Sequence, residues 1–357
     1  MMSTSLATLR WLATSLAACA LAALSAVPVR AATGLAELPA SANHGPVTVF
    51  YPANAPEQTV QRGPFILHAA PGATPVRGNG RLVVVSHGSG SSAWMYSELA
   101  RHLVAAGFIV ASPEHEGDNW HDTGKIGAES WRLRPREVSA AIDAVKNDAR
   151  FAALADFNQV GAWGMSAGGH TALTLAGGRW SAARLRDHCG AHIDEAYTAC
   201  TGAAIELKGG AFDGIKKSVA LAVIRHKLAD PQMQGHTDPR IKAIVAGVPF
   251  AADFDMATLA NPVAPLGIVQ AQQDIWLLPK FNSGAVLQAC ASCELVADLP
   301  TGGHGALLAP LPPDPPRWLS TLINDPPGFD RTKEMPQLLE RTTAFFQKHL
   351  LPAAARP

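Results

Sequence analysis

An α/β fold built on a mostly parallel sheet is predicted by two features of this 357-residue chain. Short apolar runs alternate with stretches of helical spacing, the pattern of strands buried on both faces and joined by crossover helices. The composition is also that of a chain with a sizeable core, 48% hydrophobic and only 16% charged, which excludes a disordered tail or a coiled coil. Lys and Arg number 29 and Asp and Glu also 29, so no basic field exists to hold nucleic acid.

The strands expected in order are Val47–Tyr51, Phe65–Ala69, Leu82–Ser86, Phe108–Ser112, Gln159–Met165, Ile241–Val248, Leu266–Ala271 and Glu294–Leu299. Helices are expected over Ser92–Ala106, Arg136–Ala149, Gly168–Ala176 and Gly284–Ala289. A last helix, Met335–Leu350, is read from the apolar face made by Leu338, Leu339, Ala344, Phe345 and Leu350. The strand starts at 241, 266 and 294 are spaced as single βα units, whereas the step from 159 to 241 is far too long. An insertion of about 180–237 is expected there, lid-like in character. Seven prolines within 309–330 predict an irregular surface excursion.

The amino-terminal segment reads differently. Residues 1–10 carry Arg10 and no acid, Trp11–Val27 is almost wholly apolar, and Val29-Arg30-Ala31 has the small-residue pattern of a cleavage site. Residues 1–31 are therefore expected to be a secretory signal, followed by one domain over 32–357. An apolar run of 17 residues is short for a membrane span, which takes about 20. Leu16-Ala17-Ala18-Cys19 resembles a lipoprotein processing box and raises a lipid anchor at Cys19, although the apolar run continues past it. Loss of residues 1–31 removes two arginines and no acid, leaving 27 basic side chains against 29 acidic, a net charge of −2. An exported protein, periplasmic or secreted, is expected. Four cysteines then remain, Cys189, Cys200, Cys290 and Cys293, and an even number in an oxidising compartment points to two disulfides with three possible pairings. Local pairing, Cys189 with Cys200 and Cys290 with Cys293, closes the smallest loops. No second C-x-x-C accompanies Cys290-Ala-Ser-Cys293 to complete a zinc site.

Chemistry concentrates in four places. Gly164-Met165-Ser166-Ala167-Gly168 matches G-x-S-x-G between an expected strand and an expected helix, the strand–turn–helix context that holds a nucleophilic serine in a tight turn. A serine hydroxyl needs a base, and His304 lies in Thr301-Gly302-Gly303-His304-Gly305, directly after the last expected strand. Asp274 follows the preceding strand and is the expected orienting acid; Asp253 and Asp255 are its rivals. The order Ser166, Asp274, His304 is the order that a nucleophile-elbow fold requires. An oxyanion hole is expected from the N–H of Ala167 and, in Ser86-His87-Gly88-Ser89-Gly90, that of Ser89. His87 is read as orienting that loop. Glu114, His115, Glu116, Asp118, His121 and Asp122 crowd nine positions, but no helical H-E-x-x-H spacing is present and no metal is expected.

These pieces, with Ser86-His87-Gly88-x-Gly90, Glu114-His115-x-Gly117 and Asp238-Pro239-Arg240-Ile241-Lys242-Ala243, give the chain a resemblance to the α/β-hydrolases. Within them it resembles the dienelactone-hydrolase-like branch that includes the platelet-activating-factor acetylhydrolases, over residues 82–305. The resemblance implies an α/β-hydrolase fold with helices on both faces of the sheet, serine ester hydrolysis by Ser166, Asp274 and His304, and no cofactor. It also implies that His115, with His87 and Met165, lines the pocket. Dienelactone hydrolases proper use cysteine, and the serine here argues against that lactone activity. The function expected is an exported carboxylic ester hydrolase working through an acyl-enzyme, on a small-molecule, lipid or polyester ester. The alternatives are a non-catalytic ligand-binding protein of the same fold and an amidase or peptidase with the same triad.

Overall fold

The centre of the fold is laid down by β5 (Leu82–Ser86), five consecutive buried residues whose side chains alternate between two cores. Leu82 and Val84 join one apolar cluster and Val83 and Val85 the other, as the two-residue period of a strand requires. In the computed structural model the described residues are 32–42, 44–202, 207, 209–353 and 356. The expected signal segment 1–31, including Cys19, lies outside the described residues.

Around β5 run β6 (Ile109–Pro113) on one side and β7 (Val160–Met165), β9 (Ile241–Gly247), β11 (Leu266–Ala271) and β12 (Glu294–Leu299) on the other, every neighbouring pair parallel. Beyond β6 the sheet continues through β2 (Val47–Ala53), β1 (Ala32–Leu38), β4 (Phe65–Pro71) and β3 (Gln58–Arg62). Ten strands result, in the order β12-β11-β9-β7-β5-β6-β2-β1-β4-β3. The eight strands read from the sequence are present, their ends within two residues of expectation. The sequence reading omitted β1 and β3. Three of the seven residues of β1 are Ala or Gly and β3 is mostly polar, so neither shows the apolar run that marked the others. A separate two-stranded pair joins β8 (Arg179–Trp180) to β10 (Phe254–Asp255).

Helices cover both faces. On one side α1 (Ser97–Ala105) and the carboxy-terminal helix Arg331–Leu350 bury Leu99, Leu103, Phe345 and Phe346 in the first cluster. On the other side α2 (Ala128–Asn147) and α3 (Ala167–Leu175) contribute Val138, Ile142 and Leu173 to the second. Each such side chain contributes about 1.5–3 kcal/mol through burial. Helix α2 starts eight residues earlier than the sequence predicted, because Pro135 lies inside it; proline in a helix interior normally argues against continuation.

The insertion is helical: α4 (Ala182–His192), α5 (Tyr197–Thr201) and α6 (Asp213–Lys227). It forms its own small core of Leu185, Cys189, Ile193, Tyr197, Ala220 and Ile224, which packs on Phe250 and Leu277 of the main body. The proline-rich stretch is less irregular than expected. It contains the short helix α8 (Arg317–Ile323), and Ile323 is buried against the core; α7 (Ser283–Ala289) precedes it in the chain and the carboxy-terminal helix is α9. Among the described residues no helix is long and apolar enough to cross a membrane.

Cys189 is bonded to Cys200, joining α4 to α5, and Cys290 to Cys293, after α7. The first closes a loop of 11 residues, the kind of restraint that stabilises by about 2–4 kcal/mol. Peptide mapping without reduction should recover these two linkages and no reactive thiol among the four cysteines. Recovery of a Cys189–Cys290 or Cys200–Cys293 peptide would contradict the pairing.

Candidate active site

Strand β7 and helix α3 meet in a turn too tight for an ordinary backbone. Ser166 has φ 58° and ψ −118°, a conformation that L-residues adopt only under constraint. A Cβ at Gly164 would fall 1.9 Å from the carbonyl oxygen of Gly168, and one at Gly168 1.9 Å from that of Ser86. Both positions therefore need glycine. The turn is pinned from outside as well: Ser166 N–H donates to Gly247 O at 3.1 Å, and Ser166 O accepts from the N–H groups of His170 at 2.9 Å and Phe250 at 3.2 Å.

The structure brings Ser166, His304 and Asp274 together. His304 Nε2 lies 3.1 Å from Ser166 Oγ, and His304 Nδ1 lies 2.7 Å from Asp274 Oδ2. The other oxygen of Asp274 accepts the N–H groups of Trp276 at 2.9 Å and Leu277 at 2.8 Å, which fixes the carboxylate before it meets the imidazole. Two adjacent loops are tied at the same place, since Gln273 N–H donates to Gly302 O at 2.9 Å. The proline-rich segment braces the histidine loop from behind. Arg331, paired with Asp325, donates to the carbonyls of Gly305, Ala306 and Leu308. Gly305 lies so close to Ile323 that a Cβ would fall 2.3 Å from its carbonyl oxygen.

The rival carboxylates are engaged elsewhere. Asp255 caps the turn at Ala257 and pairs with Arg184 at 3.3 Å. Asp253 is fully buried with its Oδ2 3.1 Å from His170 Nε2. That histidine is enclosed by Trp131, Trp180, Phe250 and Phe254 behind the serine turn.

Ser89 and Ala167 each present a backbone N–H without a partner among the described residues, at the first turn after β5 and the first position of α3. Their neighbours are committed: Gly88 N–H donates to Tyr96 Oη at 3.0 Å and Gly90 N–H to Asp118 Oδ1 at 2.9 Å. The loop rests on a buried ion pair, Arg134 Nη2 to Asp118 Oδ2 at 2.9 Å. Arg134 also donates to the carbonyls of His87 and Gly88, and Ser130 to Asp118 at 2.6 Å. Burial by itself would raise the Asp118 pKa, but the Arg134 guanidinium and the Ser130 and Gly90 donors hold it below the usual carboxylate range. Removing one partner of such a pair costs about 3–5 kcal/mol, because a buried charge is left alone.

Two expected pocket residues turn out not to face an opening. His115 is fully enclosed, its Nε2 2.8 Å from Ser86 Oγ and its Nδ1 2.6 Å from Glu137 Oε2. Met165 is buried beneath the turn against Tyr96. A residue inside a strand end, flanked by two others, has no free face to offer. His87, tilted at 52° against His115 with ring centres 4.8 Å apart, has Nδ1 2.8 Å from Gly88 O and one edge on a side cavity. The acidic cluster does not converge: Glu114 meets His121, Glu116 meets Lys125, Asp118 meets Arg134 and His115 meets Glu137. Among the described residues no three His, Cys, Asp or Glu side chains could share a metal ion.

Arg134, Glu137, Ser130 and Tyr96 were missed in the sequence. A signal existed for three of them, since Ser130, Arg134 and Glu137 fall on one face of α2 at i, i+4 and i+7 once the helix is allowed through Pro135.

Asp274→Asn should lower turnover on a simple ester by about four orders of magnitude, the cost of a mispositioned imidazole, while Asp255→Asn should cost less than tenfold. The reverse result would move the acid to the other strand end. The buried histidines set a stability profile. Burial, then His115 and Arg134, hold His87 well below its ordinary pKa; burial and then Arg134 do the same for His115. Both take up protons only on unfolding, so the stability they contribute is present above about pH 6.5 and is lost as pH falls below it. Glu137, pushed upward by burial, works in the opposite sense with one proton against two. The two imidazoles outnumber it, so stability falls on the acid side of about pH 6.5. Calorimetry between pH 7 and 5 should show Tm falling; a flat or rising Tm would mean that these imidazoles are charged in the folded protein.

Residues 72–130 match the family model of platelet-activating factor acetylhydrolase, isoform II. That interval holds β5, the Ser89 turn, α1 and the Asp118 loop. No curated protein matches the chain by sequence. Among solved structures, ferulic acid esterase from Streptomyces cinnamoneus is similar over 94% of this chain and 95% of its own, with a TM-score of 0.56 and 16% identity. Such a likeness carries the fold and not the substrate. With its parallel sheet, its serine turn between β7 and α3, and this shared architecture, the chain has the α/β-hydrolase fold.

Proposed function

We propose that this protein is an exported serine carboxylesterase, acting through an acyl-enzyme on Ser166. The observation that supports it most is the continuous chain of contacts from Ser166 Oγ to His304 at 3.1 Å and from His304 to Asp274 at 2.7 Å. In this reading His304 Nε2 takes the serine proton as Oγ attacks the ester carbonyl, and Asp274 holds the tautomer that leaves Nε2 free to accept. The oxyanion of the tetrahedral intermediate is stabilised by the N–H groups of Ser89 and Ala167. His304 then protonates the departing alcohol. Water, deprotonated by the same imidazole, attacks the acyl-enzyme and releases the acid, so no cofactor enters the cycle.

An ester as substrate agrees with the names of the matched family, an acetylhydrolase, and of the structural neighbour, an esterase. Export is supported by the two disulfides, which persist in oxidising compartments. The one domain is taken to run over 32–357, with the α4–α6 insertion as a lid whose core rests on Phe250 and Leu277, neighbours of the serine turn and of Asp274.

Ser166→Ala should abolish hydrolysis of short-chain aryl esters, a loss on the order of 10⁶ in turnover, and should stop labelling by a fluorophosphonate while circular dichroism stays unchanged. Near-native turnover in that variant would remove the mechanism.

A further inference from the structure

Beside the Ser89 turn lies a second cavity of about 260 Å³ that the hydrolytic mechanism does not use. It shares His87 and Ser92 with the turn and is closed on the far side by Pro46 and Thr48 of the β2 end. Its most apolar wall is the indole pair Trp94 and Trp120, with ring centres 5.3 Å apart and planes at 46°. Rings that close touch each other. They make one continuous surface, with no room for a group between them, so the wall is a platform and not a cage. Trp120 is half exposed, and its Nε1 donates to Glu114 Oε2 at 3.2 Å, which fixes the plane of the indole.

The polar rim has a specific character. Among the described residues no lysine or arginine lines the cavity, so an anion has nothing there to pair with. The two carboxylates, Glu37 and Glu114, already have cationic or donor partners: Arg62 at 3.1 Å and His121 at 3.0 Å. A cationic ligand would have to compete with the donors that already hold them. What remains unused is hydrogen-bonding capacity. The hydroxyls of Thr48 and Ser92 have no partner among the described residues, and each Glu114 oxygen holds one donor where it can accept two. An indole face on one side and hydroxyls and carboxylate acceptors on the other match a polyhydroxylated ring, which stacks its C–H face and hydrogen-bonds its edge. The volume is below the roughly 300–1,000 Å³ of pockets for larger ligands, which suits a single ring.

We propose that this cavity is a binding site for one neutral sugar ring. Resting on the esterase reading above, the ring would be the alcohol side of the ester, held next to the turn that carries Ser89. Trp120 supplies the stacking face, Glu114 accepts ring hydroxyls, and Ser92 and Thr48 complete the rim.

Binding can be measured without hydrolysis. Saturation-transfer NMR on Ser166→Ala protein, with methyl β-xylopyranoside and methyl β-glucopyranoside as probes, should show transfer to the ring protons. Tetramethylammonium and inorganic phosphate serve as cationic and anionic probes and should show none. Trp120→Ala and Glu114→Gln, with unchanged circular dichroism, should each weaken sugar binding roughly three- to tenfold, the scale of one aromatic contact or one hydrogen bond. No transfer to either sugar, undiminished transfer in both variants, or preferential binding of tetramethylammonium would overturn the site. A separate kinetic arm compares the acetate ester of methyl xyloside with methyl acetate. A lower KM for the sugar ester, raised by Trp120→Ala, supports the alcohol-side assignment; equal KM values overturn it. Sugar binding without hydrolysis of either ester would end the esterase reading and leave the site standing, whereas hydrolysis without sugar binding would do the opposite.

Discussion

Ser166 holds a backbone conformation that no L-residue takes unless its surroundings enforce it, and much of the molecule can be read as that enforcement. The strand before it and the helix after it must approach within a distance that leaves no room for Cβ atoms at Gly164 and Gly168. Parallel neighbours β5 and β9 fix the strand in register, Ser86 beside Gly164 and Gly247 beside Met165. The carbonyl of Gly247 and the N–H of Phe250 then hold the serine peptide on both sides. Strain of this kind costs of order 1–3 kcal/mol and persists because two apolar cores, one on each sheet face, make any relaxation of β7 more expensive still.

The groups around the serine are held by separate devices. The Ser89 turn hangs on Arg134 and Asp118, with Tyr96 taking the N–H of Gly88. Because the pair is wholly buried and flanked by Ser130 and backbone groups, its charges are satisfied from several directions, the condition under which a buried ion pair is tolerable. The imidazole is held by Asp274, itself fastened by two backbone N–H groups, and its loop is clamped from the other side by Arg331. Preorganisation of this sort keeps donors and acceptors oriented before any substrate arrives, which is where electrostatic catalysis draws most of its effect.

A second histidine–carboxylate pair, His170 and Asp253, sits behind the serine turn with the same chemistry and a different environment. Its ring is packed among four aromatic side chains and reaches neither Ser166 Oγ nor solvent. Among the described residues, one nitrogen of His170, one oxygen of Asp253 and the indole N–H groups of Trp131 and Trp180 beside them have no hydrogen-bond partner. Identical residue types thus lie in line with Ser166 Oγ in one place and serve as packing in another; one histidine sits in a loop after a strand and the other inside helix α3.

The chain by itself determined the sheet core, the serine turn and the histidine loop, because these depend on local chemistry: β-branched runs, glycines at obligatory spacing, and a histidine after a strand. It determined Asp274 less directly, through the order of strands, since Asp253 and Asp255 have the same side chain at a greater remove from theirs. Only the tertiary structure decided which carboxylate faces which histidine, because that depends on sheet order and loop ties such as Gln273 to Gly302. It also decided that the acidic cluster after β6 disperses into four separate pairs and that His115 is buried away from any opening. Arg134 was invisible for the same reason: a charged residue in a proline-containing helix looks solvent-facing until the fold lays a carboxylate and two carbonyls against it. Local sequence specifies what each segment can be; only packing specifies what it meets.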